Sequence, residues 1–298
     1  MKDTVPGSHA HDTFDALLPP EMALACEAAG VAKAGRDALS LIVLGLLAGA
    51  FIAFGAIFMT VVLTGASALP WGVARLLAGL VFSLGLVLVI VGGAELFTGD
   101  SLMIVAFASR RITPAKLLRA WSLVYVGNVG GALGTAVLAF LAGQYQFDGG
   151  AVGRTALAIG AAKAVLPTMQ LFFLAVLCNV LVCLAVWMSL SARSTTDKIL
   201  AIVPPIAAFV AAGFEHSIAN LYFLPYALAI KSFAGAEFWL SIGQSAAAYP
   251  QLTAASALQN IVVATAGNVV GGSLMVGAVY WLLYLRGREV KPIGRDPR

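Results

Sequence analysis

Long apolar stretches without a single charged residue alternate with short polar segments along this chain. The uncharged stretches are Ala38–Ala74, Leu76–Ala94, Ala120–Phe147, Ala164–Ala192 and Phe238–Leu285. A helix needs about 20 predominantly apolar residues to cross the hydrocarbon core of a bilayer. The pattern therefore predicts an all-α membrane protein with six transmembrane helices. We place these spans near 38–63, 72–96 with a continuation at 101–109, 117–142, 164–189, 199–214 with a continuation at 217–230, and 260–285.

The composition excludes a soluble domain. Sixty per cent of the residues are hydrophobic and 11% are charged, and the mean hydropathy is +0.94, whereas about a quarter of the residues of a soluble domain are charged. The 298 residues predict a cytoplasmic segment at 1–36, a channel domain at 37–287 and a basic cytoplasmic tail at 288–298. The first 35 residues lack the basic start and apolar run of a signal peptide, so none is expected.

The distribution of basic residues predicts the topology. With the N-terminus in the cytoplasm, 14 of the 18 Lys and Arg residues fall inside, and only Arg75, Arg154, Lys163 and Lys231 fall outside. This excess follows the positive-inside rule, so both termini are expected in the cytoplasm of a bacterial inner membrane. The net charge of +4 needs no nucleic-acid partner to explain it.

Two of the predicted spans are interrupted by polar residues and glycines. Residues 92–100 place two acids and three glycines inside the second span, while Pro204-Pro205 opens the fifth span and residues 213–217 interrupt it. Broken helices at membrane depth need their open backbone ends buried in protein or lining a cavity. Thr98, Asp100 or Ser217 could cap the second halves, because their side chains accept bonds from freed N–H groups.

The interruptions belong to an internal repeat of three spans. Residues 93–95 of the second span resemble 213–215 of the fifth, and 127–133 of the third resemble 267–274 of the sixth. Because three is odd, the second copy must cross the membrane in the opposite sense. Inverted repeats with a broken helix in each half place their site near the midplane, with half-helix N-termini facing anions. The pattern thus favours an anion pathway.

His216 is the residue with the strongest claim to function. It is the only histidine beyond the first eleven residues, and it lies in the break of the fifth span. It is either a neutral core histidine bonded to a neighbour or a proton donor or charge stabiliser in the pathway; ionisable groups inside membranes are costly and usually functional. One histidine and the unpaired Cys26, Cys178 and Cys183 cannot supply a metal site, so neither a metal nor another cofactor is expected.

The other polar residues of the spans have two interpretations each. Glu95 and Glu215 are pathway acids or acceptors for backbone N–H groups at the helix breaks, and we favour the second. Lys163, which begins the predicted fourth span, marks the membrane interface or collects anions. The remaining candidates are interpreted first as structural. Asn128, Asn179 and Asn268 would form hydrogen bonds between helices, and the pairs Gly127/Gly131 and Gly267/Gly271 would let helices pack closely. Leu86, Leu96, Phe97 and Phe209 would belong to the core.

Three stretches resemble the formate/nitrite transporters, a family of pentameric channels with an aquaporin-like protomer. They are residues 93–98, the run from Trp187 through Lys198, and 209–220, within a resemblance over roughly 36–287. The resemblance implies a homopentamer in which each protomer has its own pore. One departure is Gly99-Asp100, where the formate channels have small hydroxyl residues and the nitrite and hydrosulfide branches have glycine at the first position.

The resemblance also implies roles for individual residues. His216 would face the pore with Thr98 as its hydroxyl partner, and Lys163 would be the cation of the outer vestibule. Asn179 and Asn268 would be polar groups in the pathway. The constrictions would consist of Leu86, Leu96 and Phe97 on the cytoplasmic side and of Phe82 and Phe209 on the outer side.

These observations predict transport of a small monovalent anion, with formate first and nitrite or hydrosulfide as alternatives. Desolvating a bare anion costs far more than protonating a carboxylate of pKa near 4 at pH 7, which costs roughly 4 kcal/mol. A proton-coupled route through His216 is therefore expected, against an anion channel in which His216 only sets the potential.

An aquaglyceroporin-like channel for neutral solutes would need paired Asn-Pro-Ala motifs, and an enzyme would need a serine–base or metal constellation; the chain has neither. Segment 14–34 is expected along the cytoplasmic face, as a pH-responsive gate or an ordinary surface helix.

Overall fold

The computed structural model describes residues 16–288, and the regular structure in that range is helical. The helices are α1 Pro19–Gly35, α2 Ala38–Leu63, α3 Trp71–Phe82, α4 Leu84–Gly92, α5 Phe97–Asp100, α6 Ile104–Ala108, α7 Pro114–Leu141, α8 Ala151–Ala164, α9 Thr168–Ser191, α10 Thr195–Ala211, α11 Ser217–Phe233, α12 Ala236–Ser241, α13 Ala254–Val269 and α14 Val279–Tyr284. The cationic tail residues Lys291, Arg295 and Arg298, together with Lys2, lie outside the described residues.

Five helical stretches are long and apolar enough to cross a membrane. They are Ala38–Leu63, Trp71–Gly92, Pro114–Leu141, Thr168–Ser191 and Ala254–Tyr284. Large apolar side chains also cover their outer surfaces, with Leu138 68% and Met169 68% exposed, as expected for helices that face lipid or a neighbouring protomer. The chain is therefore an all-helical membrane protein.

The remaining predicted span and the predicted breaks differ in detail from the expectation. The fifth predicted span is divided between α10 and α11, which have 17 residues each. Pro204 and Pro205 lie inside α10 rather than at its start, so the expectation that they open the segment was wrong. The second half of the second predicted span begins at Phe97, four residues earlier than predicted.

Glycines bring the long helices into backbone contact in two corresponding places. A Cβ on Gly131 of α7 would lie 2.0 Å from the carbonyl oxygen of Leu46 in α2, and a Cβ on Gly271 would lie 2.1 Å from that of Val176 in α9. No larger residue fits at either crossing. The small residues at these spacings thus pack helices together, as membrane helices commonly do.

The N-terminal helix α1 packs against the second half of the broken span. Met22 and Cys26 are buried in an apolar cluster with Leu102, Val105 and Trp187. A residue larger than Gly30 would press its Cβ to 2.9 Å from Cβ of Ala106. Helix α1 therefore holds the short helices α5 and α6 in place from one side.

Candidate functional site

Two helix breaks of matching geometry lie at the centre of the molecule. Helix α4 ends at Gly92 and helix α10 at Ala211, and a glycine with φ +77° follows each end, Gly93 directly and Gly213 after one more residue. This left-handed backbone conformation favours glycine, which has no Cβ to clash. The chain then runs extended for a few residues before α5 begins at Phe97 and α11 at Ser217.

Two asparagines of neighbouring helices hold these breaks. Oδ1 of Asn128 accepts the N–H of Phe97 at 2.9 Å, and its Nδ2 donates to the carbonyls of Gly45 at 2.7 Å and Glu95 at 3.0 Å. Asn268 repeats the pattern with the N–H of Ser217 at 2.9 Å and the carbonyls of Ala175 at 2.7 Å and Glu215 at 3.0 Å. One side chain thus satisfies backbone groups on both sides of each break, which lipid could not do.

The expectation that Thr98, Asp100 or Ser217 caps the second halves was wrong. Helix α5 has no side-chain cap of its own, and helix α11 is capped by the ring of His216, whose Nδ1 accepts the N–H of Ala219 at 3.1 Å. The reason is positional, because the N-cap residues of the two helices are Leu96 and His216.

His216 joins the two broken spans. Its Nε2 lies 2.9 Å from Oγ1 of Thr98, and both residues are buried. Since Nδ1 accepts a backbone N–H, the neutral ring carries its proton on Nε2 and donates it to Thr98. A doubly protonated ring would have N–H groups at both nitrogens and would lose the bond to Ala219. The bonding therefore favours the neutral ring.

The predicted constriction residues fall into two groups on either side of this pair. The rings of Phe82 and Phe209 meet edge to face with centroids 5.6 Å apart, and the Phe209 ring lies 6.0 Å from that of His216. Leu86 and Leu96 line a cavity at the opposite end. Phe97 is buried against Tyr125, 4.9 Å away between centroids.

A cavity approaches each group from its own end of the molecule. The outer cavity, named for the predicted topology, has a volume of about 260 Å³ and is lined by Phe82, Lys163, Phe209, Glu215 and His216 among others. The inner cavity has a volume of about 350 Å³, and Lys33, Leu86, Glu95, Leu96 and Lys198 are among its lining residues. Phe82, Phe209 and His216 thus belong to the wall of the outer cavity, Leu86 and Leu96 belong to that of the inner one, and the buried Thr98 lines neither.

Lys163 does not stand free in the outer cavity. It lies in the last turn of α8, so the expectation that it begins the fourth span, which starts at Thr168, was wrong. Its Nζ donates to Oε1 and Oε2 of Glu215 at 2.9 and 3.0 Å, and Asn220 donates to Oε2 at 2.7 Å. The positive charge of Lys163 is therefore compensated by a buried carboxylate.

The inner cavity contains the corresponding ion pairs. Nζ of Lys33 in α1 lies 2.6 Å from Glu95 and 2.5 Å from Asp100, and Arg36 donates to Glu95. The carboxylates of Glu95 and Glu215 thus bind cationic side chains and not the freed backbone N–H groups that we expected them to accept. The side-chain oxygens of Asn128 and Asn268 already accept hydrogen bonds from those N–H groups.

Residues 20–282 match the model of the family described as formate/nitrite transporter. The chain belongs to this family. It is 43% identical over 281 residues to the formate channel FocA of Escherichia coli strain K12, covering 94% of this chain and 99% of the relative. It is 38% identical over 263 residues to FocA of Haemophilus influenzae, covering 88% and 93%.

Two solved structures share the fold of this family member. One, titled a pentameric formate channel with formate bound, has a TM-score of 0.80 and 44% sequence identity, covering 84% of this chain and 98% of that one. The other, titled an FNT family ion channel, has a TM-score of 0.73 and 28% identity, covering 88% and 98%. The resemblance inferred from the sequence motifs is thus confirmed, and the chain belongs among transport proteins rather than enzymes.

The two remaining predicted pathway residues of this transporter act on the backbone around Thr98. Asn179 donates to the carbonyls of Thr98 at 3.1 Å and Asn268 at 2.6 Å, and its own Oδ1 has no partner among the described residues. The amide group of Asn268 is fully used in its hydrogen bonds to the backbone at the helix break. Asn179 therefore keeps one buried acceptor without a partner among the described residues.

Sequence reasoning missed Lys33, Arg36 and Asp100 as members of the site. A usable signal existed for one of them, because Lys33 precedes the first span by a few residues just as Lys163 precedes the fourth. No local pattern indicated that Asp100 faces Lys33, since 67 residues separate them in the chain.

Proposed function

We propose that this chain carries formate across the bacterial inner membrane and that formate crosses together with a proton. The relatives named formate channels cover nearly the whole chain, which supports the substrate. The observation that carries the mechanism is the contact between His216 and Thr98, 2.9 Å long. His216 lines the outer cavity beside Phe82 and Phe209, and Leu86 and Leu96 line the inner cavity.

The energetics of the constrictions favour a neutral permeant. Phe82, Phe209, Leu86 and Leu96 are buried apolar side chains and offer no hydrogen bond to an anion. Desolvating a bare carboxylate there would cost far more than protonating it, and protonation at pH 7 costs roughly 4 kcal/mol for a pKa near 4. Formic acid therefore crosses the rings more easily than formate.

His216 gives the neutral acid a polar contact between the rings. The Nε2–H donor can turn from Thr98 Oγ1 to a carboxyl oxygen, while Thr98 accepts the proton of the acid or donates its own. To protonate formate, the ring must first take up a proton from solution at Nδ1, which breaks its bond to the N–H of Ala219; the Nε2 proton then passes to the carboxylate, and the ring returns to neutral. In this mechanism His216 passes a proton and holds no fixed charge.

The protomer proposed here has six spans in two inverted three-helix repeats, with the second and fifth spans broken as in an aquaporin-like fold. The identical bonding of Asn128 and Asn268 supports the repeat. A homopentamer with one pore in each protomer is proposed because the neighbour with a TM-score of 0.80 is titled pentameric. The positive-inside pattern supports cytoplasmic termini. Membrane lipid surrounds the assembly.

The cytoplasmic segment 1–36 and its pH-dependent gating remain predictions, as does the boundary of the tail at 288. Residues 1–15 and 289–298 lie outside the described residues. Helix α1 supports a gating function in one respect, because Lys33 binds Glu95 and Asp100 at the mouth of the inner cavity.

The test of the proposed function is flux into proteoliposomes for formate, nitrite, hydrosulfide and glycerol at two pH values. We expect formate to enter fastest, its flux to rise on acidification, and its movement to carry no net current. His216→Asn should slow formate and flatten its pH dependence, while the same change at His11 serves as the control. Unchanged pH dependence in His216→Asn would refute the proton route.

Nitrite and hydrosulfide remain alternatives because of Gly99. It lines the inner cavity next to the ion-paired Asp100, at the position where the resemblance distinguishes branches. Preference for either anion in the same experiment would keep the pathway and change the substrate. Glycerol flux without any anion flux would overturn the assignment.

A further inference from the structure

Most of the cations in the two cavities form ion pairs with carboxylates, but two do not. Lys163 pairs with Glu215 in the outer cavity, and Lys33 and Arg36 pair with Glu95 in the inner one. Arg75 also lines the outer cavity and Lys198 the inner one. Neither forms an ion pair with any carboxylate within residues 16–288.

Backbone carbonyls hold Arg75 at the rim of the outer cavity. Its Nε donates to the carbonyl of Ala211 at 3.3 Å, and its Nη2 donates to that of Val210. These carbonyls belong to the last residues of α10, immediately after Phe209. The end of a helix carries about half a negative charge, so the carbonyls orient the guanidinium without cancelling its full charge.

The guanidinium therefore stands where an anion arrives before it meets the Phe82 and Phe209 rings. Its fork of donors matches a carboxylate, and Arg75 is only partly buried. Lys163, by contrast, has its charge satisfied by a partner that is itself buried. An uncompensated charge in a low-dielectric cleft concentrates ions of the opposite sign.

We propose that Arg75 recruits the substrate anion at the outer mouth and that Lys198 does so at the inner mouth. Lys163 and Lys33 brace the helix breaks. The ligand class is a small monovalent carboxylate or another oxyanion of similar size, bound weakly. This inference rests on the proposed function, because it concerns the approach of that substrate to the same pathway.

The test uses membrane vesicles of both orientations with the full-length chain. Initial formate uptake is measured against formate concentration in right-side-out and inside-out vesicles at two ionic strengths. For Arg75→Gln we expect the apparent KM to rise on the order of tenfold in right-side-out vesicles only, with the maximal rate nearly unchanged. Lys198→Gln should produce the same change in inside-out vesicles only.

Salt distinguishes recruitment by charge from a packing defect. Charges are screened over roughly 8 Å at physiological ionic strength and 3 Å at 1 M salt, so the difference between the wild type and Arg75→Gln should shrink at high salt. Arg75→Lys keeps the charge and should restore most of the KM. Arg154→Gln removes an exposed cation of α8 outside the cavity and is the matched control.

The possible outcomes separate the inference from the proposed function. A KM that Arg75→Gln leaves unchanged would overturn the inference while formate transport stands. Equal loss in Arg75→Lys and Arg75→Gln, independent of salt, would also overturn it, because Arg75 would then position α10 by its hydrogen bonds. No saturable formate uptake by the wild type in either vesicle orientation would overturn the proposed function itself.

Discussion

The breaks after Gly92 and after Ala211 share one backbone design and differ in their side chains. Each has a glycine at φ +77°, an asparagine bridging three backbone groups, and a glutamate paired with a lysine of a preceding helix. The residue after the glutamate is Leu96 in the first break and His216 in the second. The fifth residue after the glutamate is Asp100 in the first break and Asn220 in the second.

This difference separates the requirements of the fold from those of transport. The shared groups satisfy backbone atoms that lipid cannot bind, so both breaks need them. The histidine occurs once, although the backbone would accept it twice, since the N-cap position is the same in both. In the proposed function, the duplicated part builds the pathway, and the histidine that is not duplicated performs its chemistry.

The strongest test of the shared design is to remove each asparagine. Asn128→Ala and Asn268→Ala each abolish three hydrogen bonds and leave buried backbone groups without partners. We expect each to lower the free energy of unfolding by about 3–5 kcal/mol, with nearly equal losses. Unfolding in mixed detergent micelles measures both, and Asn→Asp at the same positions keeps the acceptor alone. A loss at one break only would contradict the equivalence of the two.

A smaller effect is expected from removing the lysine that Asp100 binds in the first break. Lys33→Met leaves Asp100 without its cation, while Glu95 keeps Arg36. Because Lys33 is partly exposed, we expect a loss of about 2 kcal/mol, below the 3–5 kcal/mol of a fully buried pair. Adding Asp100→Asn, which copies Asn220, should recover much of it in the same unfolding assay. No recovery would show that Asp100 is not what Lys33 stabilises.

The smallest stability change is expected from His216→Leu, which copies Leu96 into the second break. The variant loses the cap on the N–H of Ala219, which is typically worth about 1 kcal/mol, and the contact with Thr98. Formate flux should fall by much more than this small loss of stability can explain. His216→Asn can keep the cap, so comparing the two variants separates capping from transport. Equal flux in His216→Leu and the wild type would remove His216 from the mechanism.

Local sequence patterns predicted the helices well and the contacts of the site only in part. The spans, the positions of both breaks and the small-residue crossings could be read from apolar runs and glycine spacing, because lipid imposes these constraints on every segment separately. The capping of the breaks could not be predicted from such local patterns. Thr98 and Ser217 were plausible caps by residue type, but Asn128 and Asn268 reach the freed N–H groups from helices 31 and 51 residues away in the chain.

The charges show the same limit. Lys163 had the features of a free vestibule cation in the sequence, since no acid stands near it along the chain. Glu215 meets it only in the folded protein, across 52 residues. Arg75 had the same features and remains without a carboxylate among the described residues. Residue type and position in a span therefore do not distinguish a cation that forms an ion pair, Lys163, from one that does not, Arg75.

By itself the sequence determined the family, from its motifs, and the class of all-helical membrane proteins, from its long uncharged runs. The class follows from the cost of charge and open backbone in hydrocarbon, which acts on each segment wherever it packs. Only the tertiary structure decided which polar atoms meet: the bond between His216 and Thr98, the asparagine bridges, and the cations left without carboxylates. Those contacts join distant segments, and their strength depends on distances of a few ångströms that packing alone sets.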